Sequence, residues 1–188
     1  MRLEYKNIII RNAELSDARQ LCDWWNDGEI MEHAGFPNGL GCTLEKVCAD
    51  LSNDKDDTCR RHIIELDGKP SGEMIYRNIG NNTAEIGIKI CDFSQLEKGY
   101  GTIILSMFID ALFYDFNYNR VIIDTDLRNI RAQHVYQDKL GFRCVEVEKD
   151  ARCDQLGIWQ TTVTLVMNKV DWKVLRKKFE VNNKDLLD

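Results

Sequence analysis

The sequence predicts a mixed α/β fold, one sheet with helices on both faces, and three observations predict it. Segments of alternating polarity, separated by turn residues, fill residues 62–90 and point to an antiparallel meander. Residues 103–113 are apolar almost all round, which is the pattern of a helix lying against a sheet. Beyond it the order strand, helix, strand, strand returns, so the second half carries a β-α-β section.

Each element has its own warrant. Ile8-Ile9-Ile10 is the first strand. Ser16 can cap the next helix, with Asp17 in its first turn, and Ala18, Leu21, Cys22 and Trp25 share one face to about Asn26. Residues 35–39 (Gly-Phe-Pro-Asn-Gly) form a loop. Thr43 caps a helix carrying Leu44, Val47, Cys48 and Leu51. Residues 62–66 are a strand, Asp67-Gly68 is a hairpin turn, and residues 69–76 answer it, with Gly72 as a weak point. After the turn Gly80-Asn81-Asn82, residues 83–90 put Ile86, Ile88 and Ile90 on one face and Glu85, Gly87 and Lys89 on the other. Residues 121–124 are a strand and residues 129–140 a helix stopped by Gly141. Residues 142–148 and 159–167 are the last, paired strands, and a charged amphipathic helix occupies about 170–182 before the tail frays. The chain, 188 residues long, is expected to form a single domain over residues 1–188, since Pro37 and Pro70 are its only prolines and no repeat or linker divides it.

Composition narrows the function. The net charge is −6, which argues against general nucleic-acid binding and suits a cationic partner or simple solubility. No window approaches the roughly 18 apolar residues of a membrane span, and the opening Met1-Arg2-Leu3-Glu4 does not read as a secretion signal. Seven cysteines without Cys-x-x-Cys spacing read as reduced thiols, hence a cytoplasmic location. No cysteine and histidine stand at zinc-ligand spacing, so no metal is expected.

The chemistry concentrates in two segments. In Lys98-Gly99-Tyr100-Gly101-Thr102, two glycines open the apolar helix. Glycine lets the backbone turn and expose its N–H groups, and the helix N-terminus adds partial positive charge, so a diphosphate is a natural guest; a plain strand-to-helix turn fits the same residues. In the second segment Asn129 and Tyr136 are seven apart and share a helical face, and Gly141-Phe142 follows. Taken alone, Asn129 could be only an N-cap and Tyr136 only a core residue.

Together the segments Lys98-Gly99-Tyr100-Gly101-Thr102 and Asn129-x-Arg131-Ala132-x-x-x-Tyr136-x-x-Lys139-x-Gly141-Phe142 resemble the GNAT superfamily of acetyl-CoA-dependent N-acetyltransferases. The likeness is to the branch with the RimJ and RimL ribosomal-protein N-terminal acetyltransferases, spermidine acetyltransferases and aminoglycoside 6'-N-acetyltransferases. It covers about residues 61–167. Leu96 departs from the pattern, standing where Gln or Arg is usual. The resemblance implies a single, mostly antiparallel sheet of about seven strands whose central pair splays. It implies that acetyl-CoA lies in that gap, its pantetheine arm held near Ile88 and Ile90, its diphosphate on Lys98, Gly99, Tyr100, Gly101 and Thr102, with Asn129 hydrogen-bonding it. It also implies direct attack by a primary amine in a ternary complex, with Tyr136 as the general acid.

Among the carboxylates on or after the splayed strands, Glu85, Asp92, Asp124 and Asp126, the expectation is Glu85 as base and Asp126 as a contact to the acceptor amine. Trp24 and the loop of residues 33–42 are expected to shape the acceptor site, since adjacent tryptophans on one helix diverge by about 100°. The expected acceptor is a small-molecule or peptide amine, polycationic amines included, and the protein is expected to be a monomer or homodimer. A CoA-binding module of the same fold without turnover is the alternative.

Overall fold

The computed structural model describes residues 1–179. Eight strands form one sheet: β1 (Arg2–Tyr5), β2 (Ile8–Asn12), β3 (Cys59–Leu66), β4 (Lys69–Asn78), β5 (Thr83–Ile90), β6 (Arg120–Asp126), β7 (Arg143–Cys153) and β8 (Trp159–Asn168). Their spatial order is β1-β2-β3-β4-β5-β6-β8-β7, and among the described residues only the β5–β6 pair is parallel. The helices are α1 (Ala18–Asn26), α2 (Gly28–Met31), α3 (Leu44–Ser52), α4 (Tyr100–Tyr114), α5 (Ile130–Gln133) and α6 (Lys169–Leu175). Part of the expected C-terminal helix falls on residues 180–188, outside the described residues.

Strand alternation divides the core in two. Ile64, Met74, Tyr76, Ile86, Val121 and Ile123 face α4, whose Ile104, Phe108, Ile109 and Leu112 are buried against them. On the opposite face, Ile63 meets α1 and α3 through Leu21, Trp25, Val47 and Leu51. Each layer removes apolar side chains from water at about 25 cal/mol per Å² buried. Helices therefore cover both faces of the sheet.

Several local expectations change. The sheet, expected at about seven strands, has eight among the described residues. β1 is an edge strand with alternate residues exposed, and its mixed charges hide it in the sequence. Ser16 does not cap α1. A short 3₁₀ turn (Leu15–Asp17) comes first, and Asp17 turns inward to form a bidentate pair with Arg11 at 2.7 and 2.8 Å. Thr43 does cap α3, its hydroxyl accepting from the Lys46 amide. Gly72 is required by close approach, since a Cβ there would lie 2.3 Å from the Lys89 carbonyl oxygen. The segment after Asn129 begins as α5 and widens into a π-type turn (His134–Lys139), where the Leu140 amide donates to the Val135 carbonyl at 3.1 Å. Such widened turns recur at functional sites.

Candidate active site

The site starts where two strands part. The β5–β6 ladder runs from Thr83↔Arg120 to Ile86↔Ile123 and stops there. Beyond it β5 stays paired with β4 out to Ile90, and β6 stays paired with β8 out to Asp126. The backbone edges of residues 87–90 and 124–126 that face each other have no strand partner across the gap. A cleft of about 1040 Å³ opens there, and Ile88, Ile90, Gly99, Tyr100, Gly101, Thr102, Asn129 and Tyr136 all line it.

The glycine turn forms one end of the cleft. Gly99 is the N-cap of α4 with φ 83°, a conformation that costs a side-chain-bearing residue about 1–2 kcal/mol. No side chain caps this helix, and the first amides of any α-helix lack intrahelical partners. A Cβ on Gly101 would meet nothing within 4 Å, so its missing side chain leaves open space over those amides. This cradle fits an anionic diphosphate. Tyr100 turns its ring away, its hydroxyl accepting from Asn7 Nδ2 at 3.0 Å. The Lys98 ammonium donates to Gln95 Oε1 at 3.1 Å. Lys98 is absent from the cleft wall.

The second segment forms the floor. Asn129 is the N-cap of α5, its Oδ1 accepting from the Ala132 amide at 3.1 Å, which leaves its amide N–H groups to donate into the cleft. Tyr136 sits in the π-type turn, packed at 6.2 Å from the Phe142 ring. It is 7% exposed. Burial pushes its phenol up to about 12, with the Arg131 charge acting weakly the other way. The Tyr136 hydroxyl therefore stays protonated through the neutral range.

The carboxylates separate sharply. Glu85 lines the cleft, but its Oε1 accepts from Arg77 Nη1 at 2.9 Å across the β4–β5 register. Asp92 caps a short 3₁₀ turn through the Ser94 amide. Asp126 does not line the cleft. It is 3% exposed and absent from the cleft wall, and it accepts from the Arg128 amide at 2.7 Å and from its guanidinium at 3.1 and 3.2 Å. Burial would raise the Asp126 carboxyl, and the Arg128 hydrogen bonds outweigh it and hold it below the usual range. Asp126, expected as an acceptor contact, is instead engaged within the chain, which turns back after β6 so that Arg128 covers it. Asp124 is the carboxylate that remains, exposed at the mouth of the gap.

Trp24 also moves out of the site. Both Trp24 and Trp25 are buried, at 8% and 9%, because α1 is covered by the sheet on one side and by α3 on another. Trp25 donates to Glu73 Oε2 at 2.9 Å, and Trp24 is not on the cleft wall. The front wall is built instead by Glu29 and Ile30 of α2 and by Glu32, His33 and Ala34 just after it. Asp27 caps α2 through the Glu29 and Ile30 amides, and Asp-Gly-Glu at residues 27–29 was a start signal in the sequence. The β7–β8 tip holds this wall: Arg152 donates to the His33 carbonyl at 3.1 Å, and Gln155 joins the Asn38 amide at 3.0 Å to the Gly39 carbonyl at 2.8 Å.

Charge follows the same division. Arg131 and Lys139 line the α5 side. At the front, Lys89 is paired with Glu73 at 3.0 Å and Arg77 with Glu85, leaving three carboxylates, Glu29, Glu32 and Asp124, against one cation, Arg152, on that wall.

A sheet that splits at its one parallel pair, with a glycine-opened helix under the split, is the GNAT acetyltransferase fold. Residues 7–143 match the acetyltransferase (GNAT) domain family, and the chain belongs to it. It is an N-acetyltransferase, and acetyl-CoA is the co-substrate of the family. Solved structures agree on the fold. The chain matches a ribosomal L7/L12 α-N-protein acetyltransferase, RimL, in complex with coenzyme A, at TM-score 0.80 and 14% identity over 91% of this chain and 99% of that one. A spermidine N-acetyltransferase from Vibrio cholerae, in complex with CoA and spermine, matches at TM-score 0.78 and 18% identity over 89% and 98%. A probable acetyltransferase matches at TM-score 0.78 and 22% identity over 92% and 99%. No curated protein sequence matches the chain. Among the described residues no helix is long and apolar enough to cross a membrane.

Proposed function

We propose that the chain, as one domain over residues 1–188, transfers the acetyl group of acetyl-CoA to a cationic primary amine by direct attack. The observation that carries this is the gap beyond Ile86 and Ile123, which joins the amide cradle at residues 99–102 to the Tyr136 hydroxyl. Acetyl-CoA supplies an activated acetyl thioester. The amides of residues 99–102 hold the diphosphate, Asn129 donates to the pantetheine arm, and the free edge of β5 at Ile88 and Ile90 lines it. A backbone N–H near Ile88 polarises the acetyl carbonyl. Tyr136 gives its proton to the departing sulfur, and its raised pKa keeps that proton available.

The amine must shed a proton before it attacks, since an alkyl amine has a pKa near ~10.4. Asp124, which no described group pairs, is placed to take that proton through water, and Glu85 assists while held by Arg77. The acidic front wall of Glu29, Glu32 and Asp124 supports a cationic acceptor, and both a polyamine and a protein N-terminus satisfy it. The odd cysteine count supports a cytoplasmic setting. The test is release of free CoA thiol with spermidine, an aminoglycoside and short peptides. Turnover with one of them is the expected result; CoA binding without thiol release from any amine would leave a non-catalytic CoA-binding module.

A further inference from the structure

Cys22 of α1 and Cys42 of the loop before α3 meet beside the front wall. Cys22 Sγ lies 3.6 Å from the Cys42 carbonyl oxygen, so the two cysteines adjoin. Asn26 holds the pair together: its Nδ2 reaches the Cys42 carbonyl at 2.9 Å and Cys22 Sγ at 3.6 Å, and its Oδ1 accepts from the Cys42 amide at 2.8 Å. Cys22 is buried and Cys42 half-buried, so one thiol is reachable and the other waits beneath it. The chain between them carries α2 and the wall residues Glu29, Glu32 and His33.

We propose that Cys22 and Cys42 form a reversible dithiol–disulfide site that restrains the acceptor side of the cleft. The oxidant is a small-molecule disulfide of the glutathione class. The Cys42 thiolate attacks one sulfur of it, forms a mixed disulfide and expels one glutathione thiolate. Cys22 Sγ then attacks Cys42 Sγ and expels the second. Two protein thiols lose two protons and two electrons, and one glutathione disulfide becomes two glutathione thiols. Burial, together with the Cys22 neighbour, holds the Cys42 thiol above its ordinary range. The attacking thiolate is therefore a minor form, and the site responds to sustained oxidation. The new bond ties together the two ends of the segment bearing the front wall. A wall so restrained yields less to an incoming acceptor, while the CoA cradle on α4 lies outside the closed loop.

The consequence for acceptor affinity rests on the acetyltransferase reading above, whereas the linkage does not. The test uses the full chain with Cys144→Ser and Cys153→Ser, which removes the two exposed thiols. It is incubated with oxidised glutathione, alkylated and mapped without reduction. A Cys22–Cys42 linked peptide, the loss of two titratable thiols and full reversal by dithiothreitol are expected. With Cys22→Ser added, the reaction should stop at a glutathione adduct on Cys42. A persistent adduct on Cys42 in the parent, or a link from Cys42 to Cys48, overturns the site. On fully linked protein the acceptor KM should rise at least about threefold with CoA affinity unchanged. An unchanged KM overturns the restraint. Mapping needs no turnover, so a reduced protein that links but transfers no acetyl group would refute the enzymatic reading alone.

Discussion

Ile86 and Ile123 are the last residues paired between the two parallel strands, and the cleft opens immediately beyond them. Both are buried against α4, at 3% and 1% exposure. The hinge of the split is therefore fixed in the core, while the free strand edges beyond it face the cleft. The rigid part of the sheet and the working part meet at this pair.

Gly101→Val should leave the fold intact and weaken CoA. The added side chain meets no protein atom within 4 Å of its Cβ, but it fills space beside the amides proposed to take the diphosphate. Loss of one charge-assisted hydrogen bond, about 1.5–3 kcal/mol, lowers affinity by roughly tenfold or more. Calorimetry of CoA binding reads this, and unchanged affinity in the folded variant would move the phosphates elsewhere.

Tyr136→Phe should preserve stability and cost about 10²- to 10⁴-fold in kcat. The ring packs on Phe142, but no described group hydrogen-bonds the hydroxyl, so the melting temperature should barely change. A variant that keeps its full rate with a good amine would make Tyr136 a packing residue.

Activity should climb from pH 7 toward 10. Deprotonation of the amine, with a pKa near ~10.4, raises the reactive fraction, while Tyr136, pushed up to about 12, keeps its proton over the same window. A kcat that falls with an apparent pKa near the ordinary tyrosine value of ~10 would contradict the burial that holds Tyr136 protonated.

The two neighbouring aspartates should separate cleanly. Asp124→Asn should raise KM for a cationic amine and lower kcat, and added salt should mimic the KM part, with a Debye length near ~10 Å at 0.1 M. Asp126→Asn should instead lower stability, because it strips a buried partner from the Arg128 amide and guanidinium. Kinetic profiles and thermal melts of both variants decide it, and the reverse assignment of effects would restore Asp126 to the acceptor site.

Acid should destabilise the protein through His62. This ring is fully buried between Tyr76 and Phe108, with neither nitrogen hydrogen-bonded. Burial first, then the charges of the N-terminus and Arg60, lower its pKa to about 3. A depressed folded-state pKa gives stability present above the unfolded value of about 6.5, lost as pH falls toward 3, at up to ~1.4 kcal/mol per pH unit. Urea melts at pH 7 and pH 5 measure the slope. His62→Leu should flatten it, and an equal slope in both proteins would assign acid sensitivity to other groups.

Much of this site was legible because it is local. Gly99 and Gly101, and Asn129 with Tyr136, carry their meaning in spacing along a single turn or helix. What escaped depends on partners distant in sequence. Arg77 opposes Glu85 only through strand register, a relation that a one-residue slip would abolish. Asp126 looked available because its cover, Arg128, returns through a bend rather than a helix or strand. Trp24 was expected at the cleft because helix geometry separates it from Trp25, and only the packing of α1 between α3 and the sheet buries both. The eighth strand was hidden by charge, since β1 shows the outside world every second residue.

The clasp between Gln155 and residues 38–39 has a consequence for how the protein is made. Its partners are 117 and 116 residues apart, so the front wall of the cleft is synthesised early and secured late. Contacts that span so much chain are the slow ones to form. A nascent chain released before Gln155 would already contain the cradle and Tyr136 but would lack the fastening of its entrance. In the growing polypeptide, the glycine turn and Tyr136 are encoded ahead of the residue that fastens the front wall of the cleft.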